Sequence, residues 1–166
     1  MKPYILLLTF SGTIFLGLIF IFSNVYKNDS TNNLAVSSSI GLPANLLNLP
    51  DSLYLNNKKI SLIISNTPSI REKGLSGMAS LPDDSAMLFV FERLDKHGFW
   101  MKDMNFPIDI IWLDDKYIIT HIESNISPDT FPKVFHPEKN SLYVLEANAY
   151  FAQENNMEVG DKLNFR

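Results

Sequence analysis

An uncharged apolar run near the N-terminus constrains this chain more than any other feature. Residues 4–22 read YILLLTFSGTIFLGLIFIF. As a helix they would span roughly 28 Å at about 1.5 Å per residue, close to the roughly 30 Å thickness of a bilayer's hydrocarbon core. A helix that packs on a water-soluble core normally keeps a polar stripe, and this run has none. The sequence therefore predicts a transmembrane helix that does not share a core with the rest of the chain.

The residues around this run indicate its orientation. Lys2 precedes it, and positive charge favours the cytoplasmic side. The sequence SNVY at 23–26 is a poor match to the small-residue site at which signal peptides are cleaved. We therefore expect residues 1–22 to be an uncleaved signal anchor of a single-pass cytoplasmic-membrane protein, with the remainder outside. If the segment is cleaved, the domain would be secreted.

The composition changes twice after the anchor. Residues 23–50 are rich in Ser and Asn and poor in charge, as is typical of a flexible linker. Residues 51–166 then carry most of the charged and aromatic side chains, in a length that suits one domain. The predicted organisation is an anchor at 1–22, a linker at 23–50 and a folded domain at 51–166.

Turn and capping signals indicate a β-rich domain. Asn56 and Asn57 between two apolar runs predict a hairpin, and Thr67-Pro68 predicts a short helix over 68–73 that ends at Gly74. A second short helix is expected from 149 to about 155. Residues 86–91 are apolar at every position, which predicts a strand covered on both faces. The predicted class is α+β: a mainly antiparallel curled sheet, or a small, partly open barrel, with two short helices.

Charge and composition exclude several kinds of function. The net charge of −4 does not favour nucleic-acid binding. The chain has no cysteine, and His97, His121 and His136 lack metal-ligand spacing. Methionine is more often core filler than a Cu(I) ligand. No phosphate-binding loop, nucleophile elbow or catalytic triad signature is present, so no metal or cofactor is expected.

Several short blocks in order resemble a known family. They are REKGL at 71–75, MLFVF at 87–91, FWMK at 99–102, PIDII at 107–111, YVLE at 143–146 and GD at 160–161. Together they resemble the family called domain of unknown function 192, over roughly residues 52 to 165. The resemblance implies a compact β-rich domain, often exported or membrane-anchored, with no agreed activity.

The candidate site lies in and around residues 99–113, where charged side chains interrupt an apolar and aromatic run. Asp109 stands between isoleucines, and a buried charge left without a partner costs about 3–5 kcal/mol. Arg71 and Lys102 are its natural partners. Asp109 and Arg71 would form a structural ion pair that joins the helix to the sheet, or these charged residues would line a polar cleft.

Strand alternation groups the other candidates. Trp100 and Lys102 share one face, where they would clamp a flat or anionic ligand; alternatively Trp100 belongs to the core, with Lys102 extending past it to water. Glu146 shares a face with Val144, as either a solvated carboxylate or the partner of Asp109 in acid–base catalysis.

Three functions are compatible with these residues. The first is a membrane-tethered module that binds a small polar ligand or envelope component through Arg71, Trp100, Lys102, Asp109 and Glu146. The second is an envelope carbohydrate hydrolase that uses Asp109 and Glu146. The third is an assembly module that docks on a protein through an apolar patch near residues 131–135.

Overall fold

The computed structural model describes residues 49–166. The anchor predicted at 1–22 and residues 23–48 of the predicted linker lie outside the described residues. Within 49–166, no helix is long and apolar enough to cross a bilayer.

The described part of the chain forms nine strands and three short helical segments. The strands are β1 (Ser52–Leu55), β2 (Lys58–Ser65), β3 (Ser85–Asp95), β4 (Phe99–Trp100), β5 (Ile108–Leu113), β6 (Ile119–Ile126), β7 (Val134–Phe135), β8 (Ser141–Asn148) and β9 (Asn164–Phe165). The helical segments are α1 (Pro68–Lys73), α2 (Phe151–Glu154) and a 3-10 helix (Pro128–Thr130).

Seven strands form one sheet in the order β6-β5-β8-β3-β2-β1-β9, and β4 pairs with β7 as a separate ribbon. All pairs in the large sheet are antiparallel except β2 and β3, which run parallel. The α1 helix supplies the crossover that a parallel pair needs. The prediction of a mainly antiparallel sheet with two short helices is confirmed.

The two edges of the sheet meet at one end. Ile118 forms an antiparallel bridge with Lys162, and the Leu163 amide donates to the Tyr117 carbonyl at 2.9 Å. These bonds join the start of β6 to the segment that leads into β9. The sheet is therefore curled into a half-barrel whose edges are protected at that end.

Local chemistry explains the turns that were predicted. Asn56 and Asn57 have φ values of 47° and 68°, which gives the hairpin between β1 and β2 the left-handed turn that asparagine tolerates. The Thr67 hydroxyl accepts from the Ile70 amide and caps α1, and Gly74 ends the helix at a φ of 49°. Both predictions are confirmed.

The central strands are buried on both faces, as the apolar run at 86–91 predicts. One face belongs to a core that includes Leu53, Ile60, Leu88, Ile111, Leu145, Phe151 and Leu163. The other face belongs to a second core, called here the ribbon-side core, which includes Leu75, Phe89, Phe99, Ile110, Trp112, Phe135 and Val144. The candidate site lies on the ribbon side.

Candidate ligand-binding pocket

A pocket of about 280 Å³ opens on the ribbon side of the sheet, beside α1. Its lining combines the end of α1, aromatic side chains from β3 and β4, and one carboxyl group from β8. Lining residues include Arg71, Gly74, Phe89, Phe91, His97, Phe99, Trp100, Met104 and Glu146.

Glu146 is the buried polar group of this pocket. Its backbone lies directly between Met87 on β3 and Ile110 on β5, and only 4% of the residue is exposed. Its Oε2 atom has no hydrogen-bond partner. Burial raises the pKa of Glu146 from its ordinary 4.5 to about 8, so the carboxyl is mostly protonated at neutral pH. The interpretation of Glu146 as a solvated carboxylate is wrong.

Gly74 keeps the approach to Glu146 open. A Cβ atom at this position would lie 3.3 Å from Cζ of Phe89 and 3.7 Å from Oε2 of Glu146. The positive φ that ends α1 also favours glycine. The same residue therefore ends the helix and leaves space beside the carboxyl group.

Aromatic rings form the wall of the pocket. The Phe99 ring meets the Phe89 ring edge-to-face at 4.8 Å between centroids, and it meets the Phe91 ring at 6.4 Å. Phe99 also packs against the fully buried Trp112, whose Nε1 donates to the His97 carbonyl at 2.8 Å. Trp112 therefore holds the segment before β4 against the sheet.

Arg71 connects α1 to β3 at the pocket. Its guanidinium donates to the Val90 carbonyl at 2.8 Å and to both Glu92 carboxylate oxygens at 3.0 and 3.2 Å. It also lies over the Phe91 ring, 5.0 Å from the centroid. These contacts fix the guanidinium in place. Arg71 also forms part of the pocket lining.

Trp100 and Lys102 lie on the outside of the ribbon. Trp100 is 45% exposed, whereas Phe99 and Met101 are buried, so the predicted alternation is confirmed and the interpretation of Trp100 as core is wrong. The Lys102 ammonium lies 5.8 Å from the Trp100 ring centroid. Trp100 lines the pocket, whereas Lys102 borders a separate shallow depression.

Hydrogen bonds join two loops at the edge of the pocket. The Ser76 hydroxyl donates to the Lys102 carbonyl at 2.7 Å, and the Gly77 amide donates to the Asp103 carbonyl at 2.8 Å. The Asn105 side chain donates to the Met78 carbonyl at 2.9 Å. The turn after α1 and the segment after β4 are thus held together, which fixes that edge of the pocket.

Asp109 is placed away from the pocket. Its Oδ1 accepts hydrogen bonds from the amides of Asn125 and Tyr150, and its Oδ2 accepts one from the amide of Ala152. The predicted pairing of Asp109 with Arg71 or Lys102 is wrong, because backbone amides satisfy the carboxylate and Arg71 binds Glu92 instead. In this structure Asp109 caps α2 and ties it to β5.

The two carboxylates proposed for hydrolysis face opposite sides of the sheet. Ile110 pairs with Glu146 and Asp109 pairs with Ala147, and successive residues of a strand point to opposite faces. Glu146 therefore belongs to the ribbon side, and Asp109 to the side that carries α2. The geometry gives no shared space in which both would flank a glycosidic bond.

Sequence reasoning identified Arg71, Trp100 and Glu146 of this lining and missed most of its aromatic wall. Phe89 and Phe91 are two residues apart on one strand, so strand periodicity puts them on the same face as Met87. This two-residue spacing could have predicted that both rings lie on the same side of the sheet. Nothing local in the sequence indicates that His97 and Met104 reach the same space.

An exposed apolar patch also lies on the ribbon. Trp100 contacts the Phe131 ring at 6.0 Å and pairs with Val134 across the ribbon, and all three are more than two-fifths exposed. This patch is in the region predicted for protein docking, and docking itself stays a prediction.

The fold and the pocket define a β-rich domain: a half-barrel sheet whose ribbon side carries a small cavity with a buried acid. Residues 52–165 match the model of the family called domain of unknown function 192, described as "Uncharacterized ACR". The chain belongs to this family, as the sequence blocks predicted.

Two crystal structures have the same fold. A "putative transcription regulator" from Sinorhizobium meliloti 1021 aligns with a TM-score of 0.63 at 26% identity, covering 69% of this chain and 90% of its own. A protein of unknown function from Novosphingobium aromaticivorans DSM 12444 aligns with a TM-score of 0.63 at 24% identity, covering 70% of this chain and 84% of its own. No curated protein matches the chain.

Proposed function

We propose that the protein binds a small ligand in the pocket between α1 and β4. The observation that carries this proposal is the unpartnered Oε2 of Glu146 beside a cavity of about 280 Å³. A buried polar atom without a partner costs about 1–3 kcal/mol. A ligand that hydrogen-bonds to the carboxyl group would remove that cost, whereas a domain with a purely structural role gains nothing from the arrangement.

The walls of the pocket support a ligand that is apolar over most of its surface. Phe89, Phe91, Phe99 and Met104 supply apolar lining, and Trp100 extends it to the outside. Ligand sites typically have such walls with a few convergent polar groups, in volumes of about 300–1,000 Å³. At about 280 Å³ this pocket is slightly smaller than that range. It therefore suits a compact molecule, or one end group of a larger envelope component.

The ligand proposal is tested with the full chain in lipid nanodiscs and ¹³C-methyl-labelled methionine. The methyl group of Met104 reports on the pocket, and that of Met157, which belongs to the other core, is the internal control. A fragment library should yield compounds that shift the Met104 signal and leave the Met157 signal unchanged. The same compounds should bind several-fold more weakly to Trp100→Ala.

The matched control is Val159→Ala, which truncates an exposed side chain that is not part of the pocket lining. It should bind the compounds as the wild type does. If no compound shifts Met104, or if Trp100→Ala and Glu146→Gln leave every affinity unchanged, the pocket is not the ligand site.

We also propose that residues 4–22 anchor this domain on the outer side of the cytoplasmic membrane. The uncharged apolar run and the preceding Lys2 support this location. A C-terminally tagged chain should sediment with membranes after a carbonate wash, and protease added to intact spheroplasts should degrade the tag. A tag that stays protected until the spheroplasts are lysed would contradict this orientation.

A further inference from the structure

We propose that the pocket selects ligands that carry a protonated amine, which pairs with the Glu146 carboxylate while the adjoining carbon skeleton lies against Phe89 and Phe99. This inference rests on the proposed binding function and adds the chemical class of the ligand.

No cation of the described residues neutralises Glu146. Arg71, one of the cations in the lining, is hydrogen-bonded to the Val90 carbonyl and paired with Glu92. No ion pair within 49–166 includes Glu146. A buried carboxylate is stable when it is both paired and hydrogen-bonded. An ammonium group supplies both the charge and the donors that Oε2 lacks.

The rings beside Glu146 suit the same ligand. The Phe89 and Phe99 rings meet edge-to-face at 90°, and both line the pocket, so an occupant beside Glu146 packs against aromatic surface. The face of an aromatic ring attracts a cation, and it also packs against the methylene groups next to an ammonium. An anionic head group would lie beside these same ring faces and beside an acid, and both repel negative charge.

The other charged residues that line the pocket, towards its opening or mouth, do not oppose the binding of a monocation. Arg71, Glu72, Lys73 and His97 line the pocket together with Glu146. The charge of Arg71 is compensated by Glu92 outside the lining, and the opposite charges of Glu72 and Lys73 sum to zero. Burial lowers the pKa of His97, which favours its neutral form. Glu146, the buried carboxyl group of the pocket, is therefore the group that distinguishes ligands by their charge.

Binding of an amine should release a proton from Glu146, whereas binding of a neutral hydrogen-bond donor should not. In the empty pocket burial keeps the proton on Glu146, since it raises the pKa of that group to about 8. Pairing with an ammonium favours the carboxylate, so the carboxyl proton passes to the buffer as the ion pair forms. A neutral alcohol binds the protonated acid and releases no proton.

The test uses three probes that share a benzyl or phenyl ring: benzylamine, benzyl alcohol and benzoate. The full chain in nanodiscs is titrated at pH 7, with the Met104 and Met157 methyl signals as readouts. Benzylamine should bind about tenfold more tightly than benzyl alcohol, the difference expected for one charge-assisted pair, and benzoate should bind most weakly. Calorimetry in two buffers of different ionisation enthalpy should show release of nearly one proton per benzylamine.

Glu146→Gln keeps the size and neutrality of the protonated acid, so the variant is expected to fold. It should reduce benzylamine binding to the level of benzyl alcohol and abolish proton release. The control Glu72→Gln removes a carboxylate from the mouth and should preserve the preference for the amine. If Glu72→Gln abolishes the preference instead, the mouth and not Glu146 selects charge.

The outcomes separate this inference from the binding function. If benzyl alcohol or benzoate shifts Met104 at least as strongly as benzylamine does, the pocket binds ligands and the amine assignment is wrong. The same holds if benzylamine binds without releasing a proton. If neither the three probes nor the fragment library shifts Met104, both proposals fail.

Discussion

The amide of Tyr150 donates a 3.0 Å hydrogen bond to the Oδ1 atom of Asp109, and these residues are 41 positions apart. The same oxygen accepts the amide of Asn125 at 2.8 Å, and Oδ2 accepts the amide of Ala152 at 2.9 Å. Asn125 and Tyr150 both have positive φ values, a conformation that costs free energy for residues other than glycine. One carboxylate therefore stabilises two strained residues and the start of α2.

Replacing this carboxylate should destabilise the domain strongly. In Asp109→Asn the side chain keeps one acceptor and turns an NH₂ group towards an amide that needs an acceptor. We expect a loss of about 2–4 kcal/mol in the free energy of unfolding, measured by urea denaturation with tryptophan fluorescence. Asp115→Asn changes an exposed carboxylate in a turn and serves as the control. Equal midpoints for the two variants would show that Asp109 has no capping role.

Arg71 should contribute to stability through its bond to a strand carbonyl. The pairing of β3 with β8 shifts register between Val90 and Asp95, and the guanidinium binds the Val90 carbonyl beside that irregularity. Arg71→Met removes this donor and should lower the free energy of unfolding by about 1–2 kcal/mol. Glu92→Gln removes only the half-exposed ion pair and should cost less than about 1 kcal/mol. The opposite order would assign the stabilisation to the ion pair.

The features that sequence reasoning predicted correctly depend on neighbouring residues. The Asn56-Asn57 turn and the Thr67 and Gly74 ends of α1 follow from the backbone preferences of the residues themselves. The burial of 86–91 on both faces follows from their uniform apolarity. These signals need no knowledge of which strands pair.

The features that it missed depend on distant residues. A carboxylate among isoleucines needs partners, and the charged residues Arg71 and Lys102 were predicted to supply them. The partners are instead the backbone amides of Asn125, Tyr150 and Ala152. Alternation placed Glu146 on the same face as Val144, but its burial depends on α1 crossing over to that face, which brings Gly74 to the carboxyl group. No local pattern encodes that approach.

Gly74 offers a test of the pocket that separates backbone strain from occupied space. Gly74→Ala puts a methyl group 3.3 Å from the Phe89 ring and next to Glu146. Gly77→Ala also puts a side chain at a positive φ, of 76°, but its added Cβ meets nothing within 4 Å. Gly77→Ala should lose about 1–2 kcal/mol of stability from the positive φ, and Gly74→Ala at least as much, because the ψ of −136° at Gly74 lies outside the left-handed helical region. Only Gly74→Ala should weaken binding of the compounds that shift Met104, and equal binding losses would show that the space beside Gly74 is not used.

The protonation of Glu146 should make the stability of the domain depend on pH. Burial raises the pKa of Glu146 in the folded state to about 8, against an ordinary value of 4.5. Between these two pH values the folded protein binds more protons than the unfolded chain. The contribution of Glu146 is therefore fully present below pH 4.5, declines as the pH rises, and is lost once the pH passes about 8. At 1.36 kcal/mol per pKa unit the decline has an upper limit of roughly 5 kcal/mol.

Glu146→Gln isolates this contribution, because glutamine has a similar size and does not titrate. His97 acts in the opposite direction: burial lowers its pKa, so its contribution to stability grows as the pH rises through the folded and unfolded pKa values. Both proteins share that term, so it cancels when their free energies of unfolding are subtracted at each pH. The wild type minus Glu146→Gln difference should fall steadily between pH 5 and 8 and then level off. A difference that is flat over this interval would mean that Glu146 is ionised in the folded protein, paired with a cation or open to water.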